Sequence, residues 1–240
     1  LCCVLESLNH PTKYNGCGQT ATIAHLVSCP KGCNPSKWHN EVKYCCFQDL
    51  MQKAKKPSDV RDEPQIYPLS TRPTASNANA QSPSSQTDLK EERGDILYRG
   101  FYNNGQDTIF DICVTYADSP SYLNKSSVQT LKNHEKRKRR KYQQACKDQR
   151  RSFVPLVMTT DRMLGEATKA TVKRLAVLLS NKWNRPYSHV CGLVRSQLSV
   201  AIARASHLCI RGSRVSYRET SRQIQWEDSA GLELHRATCL

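Results

Sequence analysis

The chain of 240 residues carries 36 Lys and Arg against 21 Asp and Glu, a net charge of +15, with 38% apolar and 7% aromatic residues. That length suits one or two domains, and an apolar share below the roughly 45–50% of ordinary globules assigns part of the chain to tail or linker. The charge favours polyanions, nucleic acid first and an anionic membrane surface second, and the absence of any run near the ~18 apolar residues of a membrane span excludes a spanning protein.

The chain opens on Leu1 without a signal peptide's charged-then-apolar layout, so the expectation is a piece of a longer reading frame. Twelve cysteines are present, seven of them within the first 46 residues. A secreted disulfide framework would be shorter and more evenly spaced. The pattern predicts a reducing compartment and a metal site near the N-terminus.

Residues 1–36 are rich in Cys, Gly and Pro and form a first, Cys/His-rich segment. From 37 to about 56, Val42, Cys45, Cys46, Asp49, Leu50 and Ala54 recur at helical steps, and Pro57 closes that helix. Residues 58–62 read as a turn, and a short edge strand is predicted around Gln65, Ile66 and Tyr67, flanked by Pro64 and Pro68. The stretch from 70 to 92 is made of small and polar residues that cannot offset chain entropy, so a disordered insert is expected over 70–93. Gly94–Arg99 is a short strand, Asn103-Asn104-Gly105-Gln106 a hairpin turn, and Thr108–Tyr116 the second strand. A basic helix is predicted over 126–151, a strand over 153–159 and a helix over 166–183. A last helix from about Pro186 buries Tyr187, Cys191, Val194, Leu198, Ala201, Ile202, Ala205 and Leu208, and ends at Gly212. A polar tail covers 213–240. The order predicts an α/β domain with a small sheet, its core at 37–69 and 94–212.

The Thr108–Tyr116 strand carries the chemistry. Alternation places Phe110, Ile112, Val114 and Tyr116 on one face, and Ile109, Asp111, Cys113 and Thr115 on the other. A carboxylate in mid-strand is costly unless paired or metal-bound, and Asp95 opens the partner strand. Two such carboxylates can converge on one divalent cation, with oxygen ligation that suits Mg²⁺. The structural alternative is that Asp95 caps a turn and Asp111 pairs with an arginine.

The run Arg93-Gly94-Asp95-Ile96-Leu97, followed by Thr108-Ile109-Phe110-Asp111-Ile112-Cys113-Val114-Thr115, resembles the active-site hairpin of PD-(D/E)XK nucleases. More narrowly, it resembles the restriction-like endonuclease domain of non-LTR retrotransposon reverse transcriptases and related retroelement-derived proteins. Upstream, Cys17-Gly18, then His25 to Gly32, then His39-Asn40-Glu41-Val42 resembles that family's zinc knuckle and the helix after it. Downstream, Lys141-Tyr142 and Phe153-Val154-Pro155-Leu156 continue the likeness over residues 14–212.

The resemblance implies a restriction-endonuclease-like small mixed sheet flanked by helices, preceded by the knuckle. It implies a Mg²⁺- or Mn²⁺-dependent DNA endonuclease, with Asp95 and Asp111 holding the metal and Glu41 as a third carboxylate nearby. The family's cation two residues after the second acid is here Cys113, and Lys141 on the following helix is the expected substitute. Cys17, His25 and Cys29 are the expected Zn²⁺ ligands. Tyr14 stands where the pattern wants a further Cys, leaving Cys33, Cys2, Cys3 or His10 as a fourth ligand, or free cysteines in a decayed module.

Between 132 and 151 ten cations face two acids, +8 of the total +15. Lys136, Arg137, Lys138, Arg139, Arg140, Lys147, Arg150 and Arg151 are expected to contact phosphates of DNA, with RNA as a second possibility. Lys136–Lys141 also reads as a nuclear import signal, which predicts a nuclear protein. The implied partner is a reverse transcriptase region of the same polypeptide. A rival reading is a catalytically inactive nucleic-acid-binding module that keeps the fold. A third is a basic structural protein. Arg204 is expected to pair with a buried acid.

Overall fold

The computed structural model describes residues 13–14, 17–29, 31, 34–66, 92–119, 122 and 124–211. The expected tail at 213–240 and Cys2, Cys3, His10 and Cys33 lie outside the described residues, as does the expected insert from 70 through 91. No described helix is long and apolar enough to cross a membrane.

Thr22 opens α1 (Ile23–Ser28) by accepting a hydrogen bond from the His25 N–H. The helix predicted over 37–56 runs from Asn34 to Ala54 in three continuous pieces: α2 (Asn34–Val42), a π-helical stretch (Lys43–Gln48) and α3 (Asp49–Ala54). Within the π stretch Lys43, Cys46 and Phe47 are buried together, beside Val42 and Leu50.

A single turn of 3₁₀ helix (Pro57–Asp59) leads straight into β1 (Val60–Asp62). The strand therefore sits a few residues before the predicted one. Glu63, at φ 44°, turns the chain out of the ladder, and Pro64 has no N–H to offer it. Beyond that break Gln65 keeps only an isolated bridge to Arg93, and the Ile66 N–H donates to the Glu92 carbonyl. Glu92 and Arg93, predicted to belong to the insert, thus line the sheet's margin.

β2 (Ile96–Arg99) and β3 (Asp107–Thr115) pair antiparallel, from Ile96 opposite Phe110 to Arg99 opposite Asp107. Their connection is the wider loop 100–106 rather than a tight Asn-Gly turn, with Gly100 and Gly105 at φ 75° and 83°. The loop is wide because Phe101 turns inward, edge-on to Tyr98 and Phe110 with ring centroids 5.0 Å apart in each case. Gly94 lies so close to the sheet that a Cβ there would collide with Ile109 Cγ2, which fixes the approach of Asp95.

β3 continues through a crossover helix, α4 (Ser127–Asp148), into β4 (Ser152–Thr159), which pairs parallel to β3. Ser126 caps α4 by accepting from the Gln129 N–H. The helix stops before the predicted 151. Arg150 takes a left-handed φ of 55°, and the N–H groups of Arg150 and Arg151 return to the carbonyls of Lys147 and Cys146. α5 (Glu166–Trp183) ends at left-handed Asn184, and α6 (Tyr187–Arg211) follows. Of the predicted α6 stripe, Cys191, Val194, Leu198, Ala201, Ile202 and Ala205 are buried, while Tyr187 is exposed.

The result is a mixed α/β fold with a four-stranded sheet, β1-β2-β3-β4, and helices on both faces. Phe110 and Ile112 pack into the larger core with α2, the π stretch, α3, α5 and α6. Leu97, Ile109 and Phe153 face the other way, against Tyr142 and Cys146 of α4. Asp111 and Cys113, by alternation, share the α4 side of β3.

Candidate active site and metal cluster

The antiparallel register sets Asp95 directly across from Asp111, with the Asp95 N–H donating to the Phe110 carbonyl at 2.9 Å. The two carboxyls stand near enough for Asp95 to raise the pKa of Asp111. Asp95 Oδ2 accepts from the Ile112 N–H at 2.5 Å, and its Oδ1 lies 3.0 Å from His39 Nε2. Lys138 Nζ stands 2.8 Å from Asp111 Oδ2. That contact sets an ammonium directly against the buried carboxyl.

The two acids are held in opposite states. Burial pushes Asp111 up to about 6; Lys138 opposes the rise and the neighbouring Asp95 adds to it. Burial also works on Asp95, but the hydrogen bond and charge of His39, the Ile112 N–H and the charge of Lys43 outweigh it, and its pKa falls below the usual range. Burial would lower His39 and Lys138, yet their carboxylate partners raise both. One acid of the pair is thus kept ionised while the other gives up its proton near pH 6.

Lys43, 2% exposed, reaches Asp62 at 2.7 Å and Glu63 at 3.5 Å. It stands one turn from His39 on the same helical face. Glu41, between them in sequence, faces the other way. Its Oε2 lies 3.4 Å from Arg204 Nε on α6, so the acid expected to join Asp95 and Asp111 pairs with Arg204 instead. The physical reason is helical phase: two residues are about 200° apart, and His39 takes the sheet-facing side.

Lys141 also lies elsewhere. It pairs with Glu92 at 2.9 Å and is more than half exposed, its pKa raised by Tyr142 and Glu92. Lys138, one residue short of a turn earlier, occupies the position expected for it. Thr130, Leu131, His134, Tyr142 and Cys146 are the buried residues of this helix, and Lys138 is in phase with Leu131, His134 and Tyr142. A lysine on the apolar stripe was the signal available in the sequence. Cys113, half-buried, has its thiol pKa raised by burial and lies 3.8 Å from His134 Nδ1.

Of the remaining expected phosphate contacts, Lys136, Arg137, Arg140, Lys147 and Arg150 are exposed and Arg139 is half-buried. Arg151 is engaged with the Gln65 carbonyl and Gln149 Oε1. The outward-facing cationic surface is therefore narrower than the raw charge count.

A second cluster lies before α2. The N–H groups of Cys17 and Gly18 donate to the Tyr14 carbonyl, with Gly18 at φ 75°. Cys17 stands beside α1, which carries His25 and is capped at its C-terminal end by Cys29. Cys17 Sγ is 2.9 Å from His25 Nε2, and one donor atom from each of Cys17, His25 and Cys29 lies within 4.8 Å of the others. Two thiols and an imidazole at this separation could bind a metal such as zinc. Tyr14 is buried with its ring edge-on to His25, centroids 5.8 Å apart, and so packs the cluster where a fourth ligand was sought. Among the described residues the donor set has three members, which leaves one tetrahedral position open.

The cluster gives a direct metal prediction. Protein purified in the presence of zinc is expected to retain an equimolar amount, and Co²⁺ in its place to show thiolate charge-transfer absorption. Cys29→Ser should lose both, and chelation should lower the melting temperature of wild type alone. Wild type without bound metal would sink the assignment.

No family model matches the chain, and no curated protein shows significant sequence similarity to it.

Proposed function

We propose that the protein is a metal-dependent DNA endonuclease domain of the restriction-like class, derived from a retroelement. The observation that carries the reading is the pair of opposed carboxyls, Asp95 and Asp111, with Lys138 at the second of them. A buried acid pair is unfavourable by itself, and a hard divalent cation relieves the repulsion through the oxygen donors such ions prefer. Asp95 and Asp111 would hold Mg²⁺ or Mn²⁺, which supplies Lewis acidity toward the phosphate and a more acidic bound water.

The other roles belong to the chain's own side chains. His39 and the Ile112 N–H fix the Asp95 carboxylate in one orientation. Lys43 adds positive potential behind it. Lys138 donates toward charge developing on the phosphate, the task for which Cys113 lacks a cation. The exposed cations of α4 supply sequence-independent backbone contacts, with a steep salt dependence. The nuclear setting and the reverse transcriptase partner belong to the same proposal.

The test is nicking of supercoiled plasmid with Mg²⁺ or Mn²⁺. Wild type is expected to nick, and Asp111→Asn to lose roughly a thousandfold or more, in line with several kcal/mol of metal-ion stabilisation. Equal rates for the two would refute the site. The second reading, a binding module without turnover, is favoured by Cys113 and by the Lys138 ammonium already neutralising Asp111. DNA binding by wild type without any nicking would establish it.

A further inference from the structure

The N-terminal half of α4 and the turn before it enclose a pocket of about 160 Å³ lined by Tyr122, Lys125, Thr130, Asn133, His134 and Arg137. None of these six side chains is acidic, and together they present mainly donors. Thr130 is 1% exposed, yet its hydroxyl has no hydrogen-bond partner among the described residues. A buried, unpartnered hydroxyl on a pocket wall carries a cost that a ligand able to hydrogen-bond would remove.

The proton arrangement of the wall can be worked out. A guanidinium only donates, so His134 Nδ1 must accept from Arg137 Nη2 at 2.9 Å. The ring proton is then on Nε2 and is donated to the Tyr122 hydroxyl at 3.0 Å. This leaves the Tyr122 O–H free to donate elsewhere. Burial and the charges of Arg137 and Lys138 hold His134 below its ordinary pKa, in keeping with a neutral ring. Lys125 and Arg137 add two positive charges, and the Asn133 amide a further donor.

The pocket is coupled to the acid pair. Cys113, on the same strand face as Asp111, touches His134, and Lys138 is one helical turn, about 6 Å between Cβ atoms, from His134. We infer that this pocket binds a phosphate group, and that its source is the backbone phosphodiester adjacent to the one presented to Asp95 and Asp111. The last clause rests on the endonuclease reading; the anion pocket itself rests on the lining residues.

Asn133→Asp places a carboxylate in the pocket from an exposed helical position, and Gln129→Glu makes the same charge change on the same helix outside it. Inorganic phosphate is titrated calorimetrically into each full-length protein, and a fluorescent single-stranded oligonucleotide is titrated across a salt series, alongside plasmid nicking. Phosphate is expected to bind wild type and Gln129→Glu but not Asn133→Asp. Oligonucleotide affinity should fall about tenfold in Asn133→Asp, with the salt slope reduced by about one. Phosphate binding lost in Asn133→Asp with oligonucleotide affinity equal to that of Gln129→Glu would overturn the nucleic-acid source and leave a free-phosphate site. No phosphate binding to wild type, together with equal oligonucleotide affinity in the two variants, would overturn the pocket. These readouts do not depend on turnover: absence of nicking by wild type bears on the endonuclease reading alone.

Discussion

Replacing Lys138 with alanine is expected to lower plasmid nicking by about two to three orders of magnitude, the usual loss when a donor to developing oxyanion charge is removed. Lys141→Ala should stay within a few-fold of wild type. The two lysines share a helix and lie three residues apart, so composition and net charge cannot distinguish them. Lys138 is mostly buried with its ammonium 2.8 Å from Asp111, whereas Lys141 is solvent-exposed and paired with Glu92. Lys138 also opposes the rise in the Asp111 pKa, so its loss has a second signature. The acidic limb of the pH–rate profile should move to higher pH in Lys138→Ala, and Lys138→Arg should restore the limb more fully than the rate. A uniform loss in both alanine variants, without a shift of the limb, would reduce the helix to a general phosphate-binding surface.

Much of the sheet could be read from the sequence because β3 combines strict alternation with a mid-strand acid. Phe110 and Ile112 on one face, with Asp111 and Cys113 on the other, follow from a period of two. The helices were legible for the same reason, since Val194, Leu198, Ala201 and Ala205 recur at helical steps. Three features were not legible. The π-helical stretch has no periodic signature. Glu41 was read by residue type, whereas helical phase gives the sheet-facing position to His39. Lys138 lies within a run of six consecutive cations, where charge hides the apolar stripe that ends in Tyr142 and Cys146, and the resemblance points to Lys141 instead. The two neighbouring acids are therefore visible in the sequence, whereas their partners His39 and Lys138 depend on the helix rotations that position them.

The acid pair also makes a prediction about stability whose sign is the reverse of that for activity. Asp111 has a folded pKa of about 6 against an ordinary 3.8. The native state therefore holds this proton longer than the unfolded chain does, and the group's contribution falls as pH rises from about 4 to 6. Above that range the native state bears the full cost of an ionised, buried carboxyl, on the order of 3 kcal/mol at 1.36 kcal/mol per pKa unit. Asn at this position keeps the size of the side chain and removes the charge. Asp111→Asn is thus expected to melt several degrees above wild type at pH 8, with the difference closing as pH falls to 4. Asp95→Asn should behave oppositely, because Asp95 has a lowered pKa and its contribution is present at neutral pH and lost on acidification. Thermal melting of the three proteins at pH 4, 6 and 8 checks both signs; an Asp111→Asn protein less stable than wild type at pH 8 would mean that Lys138 more than compensates the buried charge. Adding Mg²⁺ should then narrow the gap, since a cation bound by both carboxylates stabilises wild type and has no complete site in either variant.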